Sequence, residues 1–175
     1  MSTYSDALAA AMRMLAEDQR VVFMGQAVLY EGTSMSRTLA DVYPDRRIEM
    51  PVFEDCQLGM AIGMSLTGLL PVCVYPRWSF LLLAASQLVL HLDCMAAYSN
   101  GGYKPRVIIR TAIPTPEPLD PGPQHLFDGS AAFRLMLTTV KVVVLDETKQ
   151  IIPEYSRAMR REGSTLLVER TEFYG

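Results

Sequence analysis

Two histidines, three cysteines and nineteen carboxylates make up most of the reactive inventory of this 175-residue chain. The carboxylate best placed for chemistry is Glu54. It stands between Arg47-Ile48-Glu49-Met50, which reads as a short strand, and the long uncharged run from Cys56 to Met64, with Pro51 marking the turn. Glu54 and Asp55 fall in the first turn of the predicted helix, where the positive end of the macrodipole favours a carboxylate. Behind them Leu58, Ala61, Ile62, Ser65 and Leu66 follow helical spacing, while Met60 and Met64 make the opposite side apolar as well. A helix apolar all round is expected to be buried. Gly59 and Gly63 lie four apart on it, each costing about 1 kcal/mol against alanine, which predicts a closely approaching neighbour. A carboxyl at the edge of an apolar core is placed to take part in proton transfer. On spacing alone the plainer reading of Glu54, a helix-start charge, takes precedence, and Asp55 is read that way too. Of the histidines, His125 follows a loop and reads on its own as a solvent-facing group, whereas His91, on an apolar helix, reads as a core residue with a hydrogen-bond partner.

The elements that must hold these groups alternate between strand and helix. Ser5 to Glu17 is an amphipathic helix with Ser5 as a candidate N-cap. Val21-Val22-Phe23-Met24 then Gly25 is a buried strand leaving into a loop from Gln26 to Gly32, with a second helix from Ser34 to Val42 stopped at Pro44. After the strand at Arg47 and the Glu54 helix, Gly68 ends the helix and Leu70 to Tyr75 is a third strand. Trp78 to Tyr98 reads as one long helix closed at Asn100-Gly101-Gly102, followed by a strand at Arg106 to Arg110. Five prolines between Thr111 and Gln124 exclude helix interior and central strand there, and a loop that long is usually functional or disordered. A short helix from Gly129 to Leu137, a strand from Lys141 to Leu145, a helix from Pro153 to Glu162 opening on its proline, and a strand at Thr165 to Val168 complete the chain. Strands that are continuous apolar runs imply a parallel sheet covered on both faces. The expected fold is α/β: a three-layer, doubly wound, mostly parallel sheet of about six strands with helices on both faces, in a single domain spanning residues 1–175.

The formal net charge of −3 offers no electrostatic basis for binding nucleic acid or an anionic membrane. No charge falls between Asp55 and Arg77 or between Arg77 and Asp93, yet the first run is broken by Gly68 and Pro71. The second is shorter than the roughly 20 apolar residues a spanning helix needs, so no membrane span is expected. Cys56, Cys73 and Cys94 are widely spaced in apolar runs, with neither a disulfide nor a metal spacing, which fits a reducing, cytoplasmic compartment. The N-terminus lacks the pattern of a signal peptide.

The ordered set Gly25-Gln26-Ala27-Val28, Arg47-Ile48, Met50-Pro51-Val52-Phe53-Glu54, Gly59, Gly63 and Gly68-Leu69-Leu70-Pro71-Val72 resembles the pyrimidine-binding domain of thiamine diphosphate enzymes. Its nearest form is the beta subunit of the decarboxylating component of 2-oxo acid dehydrogenase complexes. The resemblance runs on through Phe80, Gln87, Tyr98-Ser99-Asn100-Gly101-Gly102, Val107-Ile108-Ile109-Arg110-Thr111, Gln124-His125 and Leu167-Val168-Glu169 to Phe173-Tyr174-Gly175. Transketolase and deoxyxylulose-phosphate synthase share the domain. The resemblance implies that Glu54 hydrogen-bonds a ring nitrogen of the cofactor's aminopyrimidine and favours its imino tautomer, whose exocyclic nitrogen takes the proton from the reactive thiazolium carbon. It further implies that Phe80 packs on the pyrimidine and that His125 sits near the catalytic entrance. Tyr75 and Trp78 flank the same edge. Gln26 stands where the beta subunits carry an acid. A core phenylalanine is the alternative for Phe80.

The family's diphosphate and magnesium site is marked by Gly-Asp-Gly and a following asparagine. The sequence has no Gly-Asp-Gly, and its one asparagine is Asn100. The resemblance therefore implies thiamine diphosphate held by its pyrimidine end only, with no metal ligands and no C-terminal transketolase-type domain on this chain. Two readings remain. One is a catalytic half-site supplying Glu54 to an active site shared with a separate diphosphate-binding chain, as a homodimer or hetero-oligomer joined through the apolar helices with Gly59 and Gly63. The other is a degenerate binding or assembly module without catalysis.

Overall fold

In a computed structural model describing residues 2–30, 32–117 and 120–174, the chain forms one six-stranded sheet. The strands are β1 (Val21–Gly25), β2 (Arg47–Glu49), β3 (Leu70–Val74), β4 (Ile108–Ile113), β5 (Lys141–Val144) and β6 (Thr165–Arg170). Every pairing is parallel, in the order β2-β1-β3-β4-β6-β5. Successive residues of a strand point to opposite faces, and both faces are covered. Phe23, Val72, Val74, Ile108 and Leu167 pack under α1 (Tyr4–Ala16) and α7 (Thr148–Arg160). Met24, Cys73, Ile109, Leu166 and Val168 pack under α3 (Glu54–Leu66), α4 (Trp78–Leu83) and α6 (Ser130–Met136). The three-layer α/β expectation holds.

Several local expectations change. The cap of α1 is Thr3, whose hydroxyl accepts from the Asp6 amide while Asp6 returns a bond to the Thr3 amide. Ser5 donates instead to the Tyr174 carbonyl. The second helix stops after one turn, α2 (Ser34–Arg37). Thr111 to Ile113 are strand, because β6 extends to Arg170 and pairs with them, so the proline-rich loop begins later than expected; Pro118 and Leu119 of that loop lie outside the described residues. Pro153 lies inside α7, not at its start: the helix begins at Thr148, capped by Glu147 with Gln150 Oε1 accepting from the Asp146 and Glu147 amides.

The largest change is in the long helix. Trp78 to Tyr98 is α4, a wide π-type turn from Gln87 to Leu92, and α5 (Met95–Tyr98). One extra residue per turn rotates the face of the helix, and His91 comes out exposed, not in the core. Asn100 and Gly101 then end the segment in left-handed backbone, as expected. Among the described residues no helix is long and apolar enough to cross a membrane.

Candidate functional site

Glu54 is the first residue of α3, beyond the carboxyl end of β2, on the edge where ligands of open parallel sheets bind. It is only 4% exposed. Its neighbour across the edge is Gln26, which follows β1. A side chain at Gly25 would put Cβ 2.4 Å from the Val74 carbonyl oxygen, so only glycine lets β1 leave the sheet against β3 here. Gln26 Nε2 then donates to Glu54 Oε1 at 2.9 Å. No donor among the described residues reaches Glu54 Oε2.

The loop carrying Gln26 is held by a carboxylate that the sequence reading passed over. Glu49, paired with Gly25 in the sheet, accepts from the backbone amides of Ala27 at 2.6 Å, Val28 at 2.9 Å and Leu29 at 2.9 Å. The three amides converge because Ala27 sits in left-handed backbone at φ 55°. Arg47 Nη1 adds a bond to the Val28 carbonyl at 3.1 Å. The only cue in the sequence was an acid at the end of a strand facing a glycine-led loop.

Under Glu54, Tyr75 donates from its hydroxyl to the Glu54 carbonyl at 3.0 Å, and Gln57 Nε2 donates to the Val74 carbonyl at 3.1 Å. These two bonds fix the first turn of α3 to the end of β3. Burial, with the neighbouring Cys73 adding to it, pushes the Tyr75 hydroxyl far above its usual range, so it remains a donor. Tyr75 is 1% exposed and Trp78 0%. Trp78 packs on Phe127, Phe133 and the Gly129 backbone. Neither ring reaches the surface of the edge: Tyr75 braces the Glu54 backbone from behind, and Trp78 packs on the returning loop at Phe127 and Gly129. Asp55 does more than complement the helix dipole: it accepts from Ser86 Oγ at 3.3 Å and Gln87 Nε2 at 3.5 Å, tying α3 to the π-type turn.

Phe80 and His125 form a second pair. Their rings lie edge to face with centroids 5.7 Å apart, and His125 Nδ1 is 2.8 Å from Ser79 Oγ. The returning loop thus brings His125 onto α4, and both residues are partly exposed. On the other side of β4, Arg110 and Glu169 form a buried ion pair with Nε to Oε1 at 2.7 Å and Nη2 to Oε2 at 3.1 Å. Tyr155 and Tyr174 donate to the same carboxylate, burial holding both hydroxyls well above their usual range. This network fastens the segment after β6 to the sheet.

The expected close neighbour of the two glycines is only partly present. A Cβ on Gly59 would meet the Gln87 side-chain amide at 3.7 Å, ordinary contact, and one on Gly63 would meet nothing within 4 Å. Met60 and Leu66 beside them are each 44% exposed. One face of α3 is apolar and open, contrary to the expectation of burial all round.

Comparison with known proteins bears on the family and the fold. The family model for the transketolase pyrimidine-binding domain matches residues 1–113. The pyruvate dehydrogenase E1 component subunit beta of Cyanidium caldarium is 32% identical over 113 residues, 63% of this chain and 35% of the relative. The mitochondrial subunits of Drosophila melanogaster and Homo sapiens are 37% and 33% identical over 50% and 54% of the chain, and over 25% and 27% of their own length. The chain therefore spans a quarter to about a third of these relatives. In fold it is similar to a solved split-gene transketolase, an inactive beta4 tetramer, with TM-score 0.72 and 21% identity over 95% of this chain and 50% of that one. The chain belongs to the transketolase pyrimidine-binding domain family.

Proposed function

We propose that the chain is the pyrimidine-binding half of a thiamine diphosphate active site, with the diphosphate and magnesium held by a separate chain. The observation that carries this reading is Glu54. A carboxyl almost withdrawn from water, with one oxygen steadied by an amide and the other without an internal donor, suits a ring nitrogen that needs one directed hydrogen bond. When bound, the cofactor supplies the carbanion chemistry. The chain's own residues orient and shield. Glu54 holds or gives up a proton at its free oxygen; Gln26 keeps that carboxyl in one rotamer. Phe80, braced by His125, offers an aromatic wall for the pyrimidine, and from within the core Tyr75 braces the edge and Trp78 the returning loop. His125, with Nδ1 engaged by Ser79, keeps Nε2 for the entrance of the site, where Gln124 Nε2 lies 3.4 Å away.

The open face of α3 around Met60, Gly63 and Leu66 is where the partner chain sits in this reading, so the assembly is a dimer or a hetero-oligomer and the reaction is of the 2-oxo acid dehydrogenase or transketolase type. Purification from the native host should bring down a partner bearing Gly-Asp-Gly together with thiamine diphosphate. In the reconstituted complex Glu54→Gln should lower turnover by about 100-fold or more and leave assembly intact. Unchanged turnover removes Glu54 from the mechanism and favours a non-catalytic assembly module.

A further inference from the structure

Three consecutive residues at the start of α4 hold the loop that returns to the sheet edge. Trp78 packs on Phe127 and the Gly129 backbone, and Phe80 lies edge to face with the His125 ring at 5.7 Å. Between them, Ser79 Oγ stands 2.8 Å from His125 Nδ1. The loop is shaped before it arrives. Gly122 turns it in left-handed backbone at φ 86°, with its amide donating to Asp120 Oδ1 at 2.8 Å and its carbonyl accepting from the His125 amide at 3.0 Å. Backbone and ring of His125 are therefore both anchored, while the ring stays partly exposed.

A neutral imidazole carries one hydrogen, on Nδ1 or on Nε2, and the other nitrogen can only accept. A serine hydroxyl can donate or accept, so the bond to Ser79 alone is compatible with either tautomer. Gln124 breaks the tie. Its Nε2 lies 3.4 Å from His125 Nε2, a long contact, and an amide NH2 group only donates. The two groups are complementary only when ring Nε2 carries no hydrogen. That puts the hydrogen on Nδ1 and makes Ser79 Oγ its acceptor.

We propose that Ser79 is a positioning residue, an inference that rests on the half-site reading: it accepts from His125 Nδ1–H and, with Gln124, holds the ring in the tautomer whose Nε2 lone pair faces the entrance. Which ring nitrogen is free is set by the bond that the other one makes, and here a hydroxyl makes it. Nε2 is then an acceptor of hydrogen bonds and protons. It suits a substrate that presents a hydroxyl at the entrance, and it has no hydrogen to offer a carboxylate until the ring is protonated.

The test reads the tautomer directly, in the full chain labelled with 15N-histidine, from two-bond 1H–15N correlations at about pH 9, where an ordinary histidine is neutral. The chain has only two histidines, and His91→Gln, at an exposed position, assigns the signals. His125 should show a protonated Nδ1 and an unprotonated Nε2. In Ser79→Ala the two nitrogens should move toward averaged shifts, and Ser79→Thr, which keeps a hydroxyl, should restore the wild-type pattern. A wild-type ring protonated on Nε2 or averaged between tautomers would overturn the proposal, and that spectrum needs no variant to fold. An unchanged ring in Ser79→Ala, or loss of the pattern in both variants, each with a native circular dichroism spectrum, would overturn it too. Neither cofactor nor partner enters the measurement, so a negative result leaves the Glu54 reading standing, and unchanged turnover in Glu54→Gln leaves the tautomer as it is.

Discussion

Glu49→Gln is the substitution that tests how the edge is built. The wild-type carboxylate accepts three backbone amides, one on Oε1 and two on Oε2. Glutamine keeps one acceptor oxygen and turns an NH2 group toward the remaining amides, so at least one backbone N–H loses its partner and faces another donor. A hydrogen bond to a charged group contributes about 1.5–3 kcal/mol, and an orphaned buried donor costs about 1–3 kcal/mol. Leu29 is exposed and water replaces its bond, whereas Val28 is buried. The expected loss is therefore about 2–4 kcal/mol, equal to a fall in Tm of about 4–16 °C for a chain of this size. Urea unfolding gives the energy directly, with an unchanged slope showing that the unfolded state is the same. The released loop also carries Gln26, so cofactor affinity in the reconstituted complex should fall with stability. A loss under about 1 kcal/mol with the Gln26 loop still ordered would refute the argument that this carboxylate holds the site.

Two further outcomes follow from buried geometry. Burial acts to raise the Asp93 carboxyl, but the amides of Val140, Thr138 and Thr139 outweigh it and hold the pKa below the ordinary 3.8 of an aspartate. The stabilisation relative to Asp93→Asn should be complete above pH 3.8 and shrink as the pH falls through the lower folded value; a gap independent of pH in acid unfolding would contradict it. Gly129→Ala would place Cβ 2.9 Å from Trp78 Cε3 and 3.0 Å from Phe127 Cε1. Trp78 has no room to yield, so a loss of about 1–3 kcal/mol is expected in thermal unfolding, and a neutral variant would show that the returning loop is not packed on the tryptophan.

The parallel sheet was legible because its strands are apolar runs between turn residues, and the start of α3 because Pro51, Glu54 and Asp55 mark it in order. The break in the Trp78–Tyr98 helix was not. A π-type turn inserts one residue without changing composition, so the helical period continued past it and His91 was assigned to the wrong face. Pro153 misled for a related reason: proline is commonest at a helix start, but the capping pair Glu147 and Gln150 fixed the start five residues earlier. Glu49 escaped notice because its partners are backbone amides of a loop on the neighbouring strand, which no spacing along one segment reports.

The open face of α3 shows where sequence and single-chain structure reach the same boundary. Apolar spacing on all sides predicts burial, and for Leu58, Ala61 and Ile62 the chain supplies the cover itself. Met60, Gly63 and Leu66 have the same apolar character and no cover. Two interior glycines cost helix stability without a packing return inside the chain at Gly63. In the proposed half-site reading this is the surface that a partner approaching the backbone closely would cover, and α3 is also the helix that begins at Glu54. A partner seated on this face would therefore press on the same rigid body that aims the carboxyl. Assembly and the geometry of the candidate site are in that case one equilibrium, and a variant that blocks the face at Gly63 would disturb cofactor contact without touching Glu54.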